Sequence, residues 1–407
     1  MSGGLMQLVA TGAQDVYLTS SPQITFFKTV YRRHSNFATE PIEQTFNGTV
    51  GWGKNVTAEI SRNGDLITNV WLEITLKKSG ATHFPAEAVI KSIELEIGGT
   101  KIDKHYSDWF RVYDSLFRKD DEARQYRRMT DFVDGEATGA VKRFYLPLIF
   151  FFNRSPGMAL PLIALQYHQV KLKIETEASV LGVSTADSDL TMQCFVDYVF
   201  LDREERQRFA ATTHEYLIHQ LQFTGDESVT IASDSKSQNV RLSFNHPVKF
   251  LAWVFKGSKH GQFTALPTSL ASDYANVRTY AENLAPLRSA RLQLNGHERF
   301  QERKGSYFNL VTPFQALKTR APAGVYLYSF SLKPDELQPS GTCNFSRIDT
   351  ATLSVSMKAA SVANDANVLT ENQTLASATD LTALKVFAEN YNVFRIMSGM
   401  GGLAYSN

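Results

Sequence analysis

The sequence is poor in cysteine: its 407 residues include only two, Cys194 and Cys343. Two isolated thiols cannot form the disulfide framework of a small secreted domain, and they lack the paired spacing of a zinc site. They fit folding in a reducing compartment. At this length we expect two or three domains, each large enough to bury its own core.

Charge excess and long apolar runs are also missing. The 42 basic and 41 acidic residues nearly cancel, whereas a protein that coats nucleic acid needs a basic excess. The longest strongly apolar run, residues 145–152, is too short to span a bilayer. The first eight residues lack the basic and apolar regions of a signal peptide. We therefore expect a soluble protein made in the cytosol that has no direct contact with nucleic acid.

The patterns of familiar catalytic sites are missing as well. His214 and His219 are five residues apart, whereas the helical zinc motif places its histidines four apart. No nucleophile elbow or Cys-His pair is evident, and the acidic residues 120–122 lie in a charged run rather than in a recognisable carboxylate pair. We predict no catalytic, cofactor-binding or metal-binding residues and no enzymatic activity.

Two basic clusters, residues 31–34 and 124–128, are expected to be solvated faces or subunit contacts because the net charge is close to zero. Asn372 lies in a polar stretch and is our only candidate for glycosylation, since the secretory pathway should not meet this chain. The other glycosylation sequons are expected to be chance matches: Asn47, Asn55, Asn153 and Asn344.

Alternation with a period of two dominates what is present. Ile93, Leu95 and Ile97 alternate with Glu94 and Glu96, which is typical of a strand with one packed and one wet face. Further stretches at 240–244 and 353–357 behave alike, and Asn-Gly, Gly-Gly and Ser-Gly pairs separate such segments. The sequence therefore predicts an all-β protein built from sandwiches.

The two halves of the chain also resemble each other. Residues 93–99, followed by Trp109-Phe110, have a weak counterpart in residues 290–296, followed by Tyr307-Phe308. Trp71 corresponds to Trp253, and residues 171–174 correspond to residues 352–355, in the same order along the chain. A period near 180 residues is typical of a duplicated domain. We predict that the two aromatic pairs occupy equivalent positions.

Helices are expected to be few. One is predicted from Trp109 to Phe117 after a Ser-Asp cap, followed by a solvated charged insertion at 118–128. A second is predicted from a Thr379 cap through Phe387. The polar stretches 179–189, 228–238 and 361–378 are expected to be exposed loops.

These patterns define four regions, which are 1–26, 27–212, 213–397 and 398–407. The first is expected to be an extended contact arm and the last a tail outside either sandwich, because both are glycine-containing and lack a core-strand pattern. A charged run near residues 202–208 marks the border between the two sandwiches.

Motifs spread along the whole chain resemble those of the major capsid proteins of large icosahedral DNA viruses, most closely viruses of chlorella-like algae. The segments that carry this resemblance are 3–18, 22–33, 60–66, 101–110, 143–152, 339–348 and 390–402.

The resemblance implies a tandem double jelly roll, with two eight-stranded sandwiches and short helical insertions. It also implies a homotrimer of six similar lobes that imitates a hexagon and tiles the outer shell. The expected partners are neighbouring capsomers and the minor capsid and vertex proteins. An inner viral membrane would lie nearby without being spanned, and assembly would take place in the host cytoplasm.

Two alternatives stay open at this stage. A minor capsid or vertex protein of the same fold would differ from the major one in copy number, which fold alone cannot reveal. A carbohydrate-binding or cupin-like jelly roll would need a concave site, and a cupin would also need a histidine cluster that the nine scattered histidines do not form.

Overall fold

The structure is a computed structural model of the chain. It describes residues 2–79, 85–131, 137–180, 183–228, 237–257, 287–319, 321, 324–357 and 381–405. The chain separates into two compact units, residues 1–36 and residues 37–407.

The first unit contains two short helices, α1 (Gly3–Val9) and α2 (Ala13–Thr19), and no described residue of it is buried. The expectation of an extended arm over residues 1–26 is therefore wrong for these two stretches. A hydrogen bond from the Gly12 amide to the Asp15 carboxylate, 2.9 Å long, stabilises the start of α2.

The second unit begins with a sandwich of two antiparallel sheets. One sheet has the order β1-β10-β4-β7 with β8 beside β4, and the other has the order β2-β3-β9-β5-β6. The strands of this first sandwich are β1 (Phe37–Gln44), β2 (Phe46–Asn47), β3 (Asn55–Ile60), β4 (Leu66–Lys77), β5 (Ile90–Ile97), β6 (Thr100–Tyr106), β7 (Val141–Pro147), β8 (Leu160–Pro161), β9 (Val170–Thr176) and β10 (Thr191–Leu201).

A second sandwich follows. Its sheets have the orders β11-β19-β13-β16, with β17 beside β13 and β20 beside β19, and β12-β18-β14-β15. Its strands are β11 (His214–Ser228), β12 (Ser237–Leu242), β13 (Pro247–Gly257), β14 (Leu287–Leu294), β15 (His297–Lys304), β16 (Val325–Ser329), β17 (Cys343–Asn344), β18 (Ala351–Met357), β19 (Leu381–Met397) and β20 (Met400–Leu403).

The two sandwiches repeat one another strand for strand. The path β1-β10-β4-β7 corresponds to β11-β19-β13-β16, and β3-β9-β5-β6 corresponds to β12-β18-β14-β15. Each sandwich therefore has eight principal strands, to which short extra strands are added. The predicted repeat is confirmed at the paired hairpins β5-β6 and β14-β15, which turn through Gly98-Gly99 and Asn295-Gly296 in the left-handed region.

The predicted match between Trp71 and Trp253 is wrong by one residue along the strand. Trp71 and Trp253 lie on the equivalent strands β4 and β13, but they face opposite ways. Trp253 is fully buried in the core of the second sandwich, whereas Trp71 is half-buried on the outer face of its sheet, where it stacks on Phe195 at 5.9 Å. Because side chains alternate along a strand, a shift of one residue reverses the face.

Helices interrupt the strands at few places. The predicted helix is confirmed as α4 (Ser107–Phe117), but the predicted Ser-Asp cap is wrong: Ser107 is already helical, and the N-cap residue Tyr106 makes no side-chain capping hydrogen bond. The charged insertion after it is a helix, α5 (Asp120–Thr130), whose Tyr126 is buried, so the insertion is only partly solvated. The other helices are α3 (Pro85–Ala88), α6 (Arg203–Ala211) and α7 (Thr312–Leu317), the last preceded by a π-helical turn (Tyr307–Val311).

The C-terminal region departs from the sequence-based expectation. Leu381, Leu384 and Phe387 belong to the long strand β19 and not to a helix. β20 pairs antiparallel with the end of β19, so residues 400–403 belong to the sheet and are not a separate tail. Thr379 and the polar stretch 361–378 lie outside the described residues.

Candidate functional site: the seam between the two sandwiches

The outer face of the sheet β11-β19-β13-β16 is buried against the first sandwich; we call this layer the seam. β13 is apolar on both sides, and alternate residues point to different cores. Leu251, Trp253 and Phe255 pack inside the second sandwich. Phe250 and its outward-facing neighbours join the apolar cluster of the first sandwich instead. Burial on both faces makes the junction part of the core.

Aromatic side chains of the first sandwich cover this face. Trp109 and Phe117 project from α4, and both rings contact Phe250, with centroids 6.3 and 5.2 Å away. Trp109 also lies 5.5 Å from Phe387 on β19. At the edge of the seam, Tyr106 meets Phe223 on β11 at 4.9 Å.

A buried ionic cluster lies in the same layer. Glu389 of β19 forms an ion pair with Arg154 of the first sandwich, and its other carboxylate oxygen is 3.7 Å from the ammonium of Lys249. His219 Nδ1 accepts from Lys249 at 2.8 Å and from Arg154 at 3.1 Å. Glu389, Lys249 and His219 are each at most 3% exposed. One carboxylate thus holds two cations, one from each sandwich.

Burial and charge set the protonation states in this cluster. Burial would raise the pKa of Glu389, but Arg154 and Lys249 outweigh it and hold that pKa well below its usual range. Burial lowers the pKa of His219 to about 4, so its imidazole is neutral at physiological pH and accepts through Nδ1. Burial also lowers the pKa of Lys249, to about 8.

Further polar links cross the seam. Lys385 of β19 pairs with Asp108 of α4 and lies 3.4 Å from Asp226. The Asp103 carboxylate accepts from the Leu221 amide at 3.0 Å. Together with the aromatic layer and the ionic cluster, these contacts explain why residues 37–407 form a single compact unit.

The predicted equivalence of the two aromatic pairs holds for one member only. Phe110 and Phe308 are both buried in contact with rings of their own sandwich, His105 at 6.0 Å and Trp253 at 5.2 Å. Trp109, by contrast, covers the neighbouring sandwich. Its counterpart Tyr307 is only partly buried and packs against the core of its own sandwich, so the equivalence is wrong at this position.

The candidate residues from the sequence lie away from the seam, apart from His219. His214 and His219 lie on opposite faces of β11, since their spacing is odd. His214 contacts the Phe209 carbonyl at 2.8 Å. Within the described ranges, no group of histidine, cysteine and acidic side chains could hold a metal ion. No described helix has the length and apolar character needed to cross a bilayer.

The asparagine sequons occupy different settings. Asn47 and Asn55 are exposed on strands, while Asn344 caps a turn by accepting from the Ser346 amide at 3.0 Å. Asn153 is held inside the fold, where it donates to the Thr68 carbonyl at 2.9 Å. Asn372, the predicted glycosylation site, lies outside the described residues and stays a prediction.

The comparisons with known proteins agree with this architecture. Residues 25–202 match the family model "Major capsid protein N-terminus", and residues 205–402 match "Large eukaryotic DNA virus major capsid protein". The chain belongs to this family of viral major capsid proteins. It is 58% identical to the major capsid protein of Paramecium bursaria Chlorella virus 1 and 47% identical to that of Pyramimonas orientalis virus, with both chains covered completely in each case.

Solved structures support the same fold. A quasi-atomic model of the PBCV-1 virus capsid matches with a TM-score of 0.87 and 54% identity, over 94% of this chain and all of that one. The Faustovirus major capsid protein matches at 0.64 with 11% identity, covering 95% of this chain and 94% of that one, a likeness of fold alone. The expected double jelly roll is therefore confirmed, and this capsid protein is a structural subunit rather than an enzyme.

Sequence reasoning did not find the seam. Arg154 and Glu389 are far apart in the chain, and neither belongs to a recognisable motif. One signal was available: Lys249, Lys385 and Glu389 are charged residues in stretches rich in apolar residues, and such charges are rarely buried unless they are paired.

Proposed function

We propose that three copies of this chain assemble into a homotrimeric, pseudo-hexagonal capsomer that tiles the outer shell of the virion. The observation that carries this proposal is the repetition of one strand order in two sandwiches that are locked together by the seam. Three rigid pairs of similar lobes give six similar lobes around a threefold axis, and hexagons tile flat faces.

The regions of the chain fit this role. We propose residues 27–212 and 213–397 as the two lobes, with the first 26 residues reaching neighbouring subunits, where their exposed Leu8, Tyr17 and Leu18 would find a partner. The further partners would be adjacent capsomers and the minor capsid and vertex proteins, with assembly in the host cytoplasm.

Direct contact with the genome is not part of the proposal. The formal net charge of +1 gives no overall excess for neutralising phosphates. In a shell of this kind, an inner membrane would separate the subunit from the nucleic acid without being spanned by it.

Light scattering on the purified, untagged chain, followed by negative-stain imaging, tests the proposal. We expect a trimer of about 137 kDa, three times the chain mass of 45.6 kDa, with a hexagonal outline. A species that stays monomeric at every concentration, with no tendency to tile, would contradict it.

A further inference from the structure

The internal repeat relates the outer face of β13, which the first sandwich covers, to the outer face of β4, which is partly exposed in the single chain. In the second sandwich, the outer face of β13 carries Ala252, which pairs with Phe387 of β19. In the first sandwich, the outer face of β4 carries Trp71, which pairs with Phe195 of β10. Since β4 and β10 correspond to β13 and β19, Phe195 occupies the place of Phe387.

The two places differ in what covers them. Phe387 is fully buried under Trp109 of α4. Phe195 is only half-buried and stacks on the half-buried Trp71, and Tyr145 on the neighbouring strand β7 is 38% exposed. We call this trio, Trp71, Phe195 and Tyr145, the acceptor face.

The helical segment 307–317 of the second sandwich occupies the position of α4. Each follows the second strand of an equivalent hairpin, β15 or β6. On α4, Trp109, Tyr113 and Phe117 form one stripe over the seam. On the segment 307–317, Tyr307, Val311 and Phe314 follow one another at spacings of four and three, which place them on one side of a helix.

Two members of this second stripe, Val311 and Phe314, are exposed in the single chain, while Tyr307 is half-buried against the core of its own sandwich. Val311 is 40% exposed and Phe314 is 70% exposed, although large apolar side chains on the equivalent stripe of α4 are buried or half-buried. The segment 307–317 thus corresponds to α4, and the acceptor face corresponds to the outer face of β13 and β19 that α4 covers. In the single chain, the exposed side chains of the segment do not cover the acceptor face. Exposed apolar groups that lie together mark interaction sites.

Charge at the edge of the two surfaces is complementary. At the edge of the seam, Tyr106 of β6 contacts Phe223 of β11. In the other sandwich, the strand registers place Lys304 of β15 at the position of Tyr106 and Glu43 of β1 at the position of Phe223. Both Lys304 and Glu43 are exposed. An aromatic contact inside the chain would therefore become a lysine–glutamate pair between chains.

From these correspondences we infer that the acceptor face of one copy receives the segment 307–317 of a second copy, with Lys304 of one facing Glu43 of the other. This contact repeats the seam between subunits, and three such contacts close a ring. The inference rests on the proposed homotrimer and names the surfaces that build it. Electrostatic complementarity at the edge would also fix the register of the two copies.

Charge exchange tests the pairing. Lys304→Glu and Glu43→Lys should each raise the dissociation constant of the trimer about tenfold, and the double variant should restore it, because the pair is re-formed with its signs reversed. Lys101→Glu, an equally exposed change on the equivalent region of β6, is the matched control and should have little effect. Light scattering over a dilution series measures all four.

Covalent trapping gives a second readout. In a Cys343→Ser background, Asn69→Cys combined with Phe314→Cys should yield dimers and trimers on a non-reducing gel, whereas each single variant should not form a ladder. Asn69 corresponds to Phe250, which contacts α4 at the seam, and both chosen residues are exposed. The remaining Cys194 is buried.

The outcomes separate the two proposals. A wild-type chain that never trimerises refutes the homotrimer. A stable wild-type trimer whose charge variants are unaffected and whose cysteine pair forms no ladder refutes only the surfaces named here. A chain beginning at Phe27 that is monomeric, beside charge variants that stay trimeric, would assign the contact to the N-terminal residues and overturn the inference.

Discussion

The outer faces of the two equivalent sheets are composed differently. In the second sandwich that face is apolar at Phe250, Ala252 and Val254, and the same chain covers it permanently. In the first sandwich the corresponding strand β4 carries Trp71 and Glu73. A surface that is never exposed can resemble a core, whereas one that meets water before assembly must mix aromatic and charged residues. On the proposed assembly, duplication would give one interface in two versions, one within the chain and one between subunits.

The largest effect is expected from the ionic cluster of the seam. Arg154→Ala should lower the free energy of unfolding by about 3–5 kcal/mol, because it leaves the buried carboxylate of Glu389 without its main partner. Chemical denaturation measures the change. The control is Arg143→Ala on the first sandwich, where an exposed pair with Glu73 at 2.9 Å should be worth at most about 1 kcal/mol. Equal losses of unfolding free energy in the two variants would contradict the burial of the ionic cluster in the seam.

The equivalent phenylalanines give a sharper comparison. Phe387→Ala should cost about 3–5 kcal/mol, since it empties a packed position under Trp109. Phe195→Ala should cost the isolated subunit only about 1 kcal/mol, because that ring is half-buried rather than enclosed on every side. It should weaken trimer association instead. Thermal unfolding and light scattering on both variants separate the two effects, and a similar loss of subunit stability would deny the difference between the faces.

A further, pH-dependent effect is expected from the helices α3 and α5 of the first sandwich. Glu87 lies buried beneath α5 and accepts from the Tyr126 hydroxyl at 2.6 Å. Burial raises its pKa to about 8, so the folded chain keeps a proton that the unfolded chain releases near pH 4.5.

The contribution of Glu87 to stability is therefore full below pH 4.5 and is lost as the pH rises towards 8. Glu87→Gln should flatten the stability curve over this range in denaturation experiments at several pH values. A wild-type curve and a variant curve that stay parallel would contradict the burial of this carboxyl.

The sequence predicts the strands well where one face is wet. Ile93, Leu95 and Ile97 are buried in β5 as their alternation indicates, and the hairpin and helix that follow are where the pattern puts them. β19 escapes prediction because both of its faces are covered, which removes the alternation and leaves Leu381, Leu384 and Phe387 at helical spacing.

Contacts between distant residues are harder still. The pairing of Arg154 with Glu389 depends on how two sandwiches are placed against each other, and no local pattern encodes that placement. The one-residue error at Trp71 and Trp253 has a similar origin. Identity of residue type suggested a match, but facing direction is decided by register, which a single sequence does not reveal.

Hydroxyl-radical footprinting of assembled and diluted protein tests the central claim most directly, because it reads the solvent access of individual side chains. We predict that Tyr145, Trp71 and Phe314 lose reactivity on assembly, while Trp253, already buried in the single chain, stays unreactive in both states. Protection that appears elsewhere and leaves these three residues unchanged would contradict the repetition of the seam between subunits.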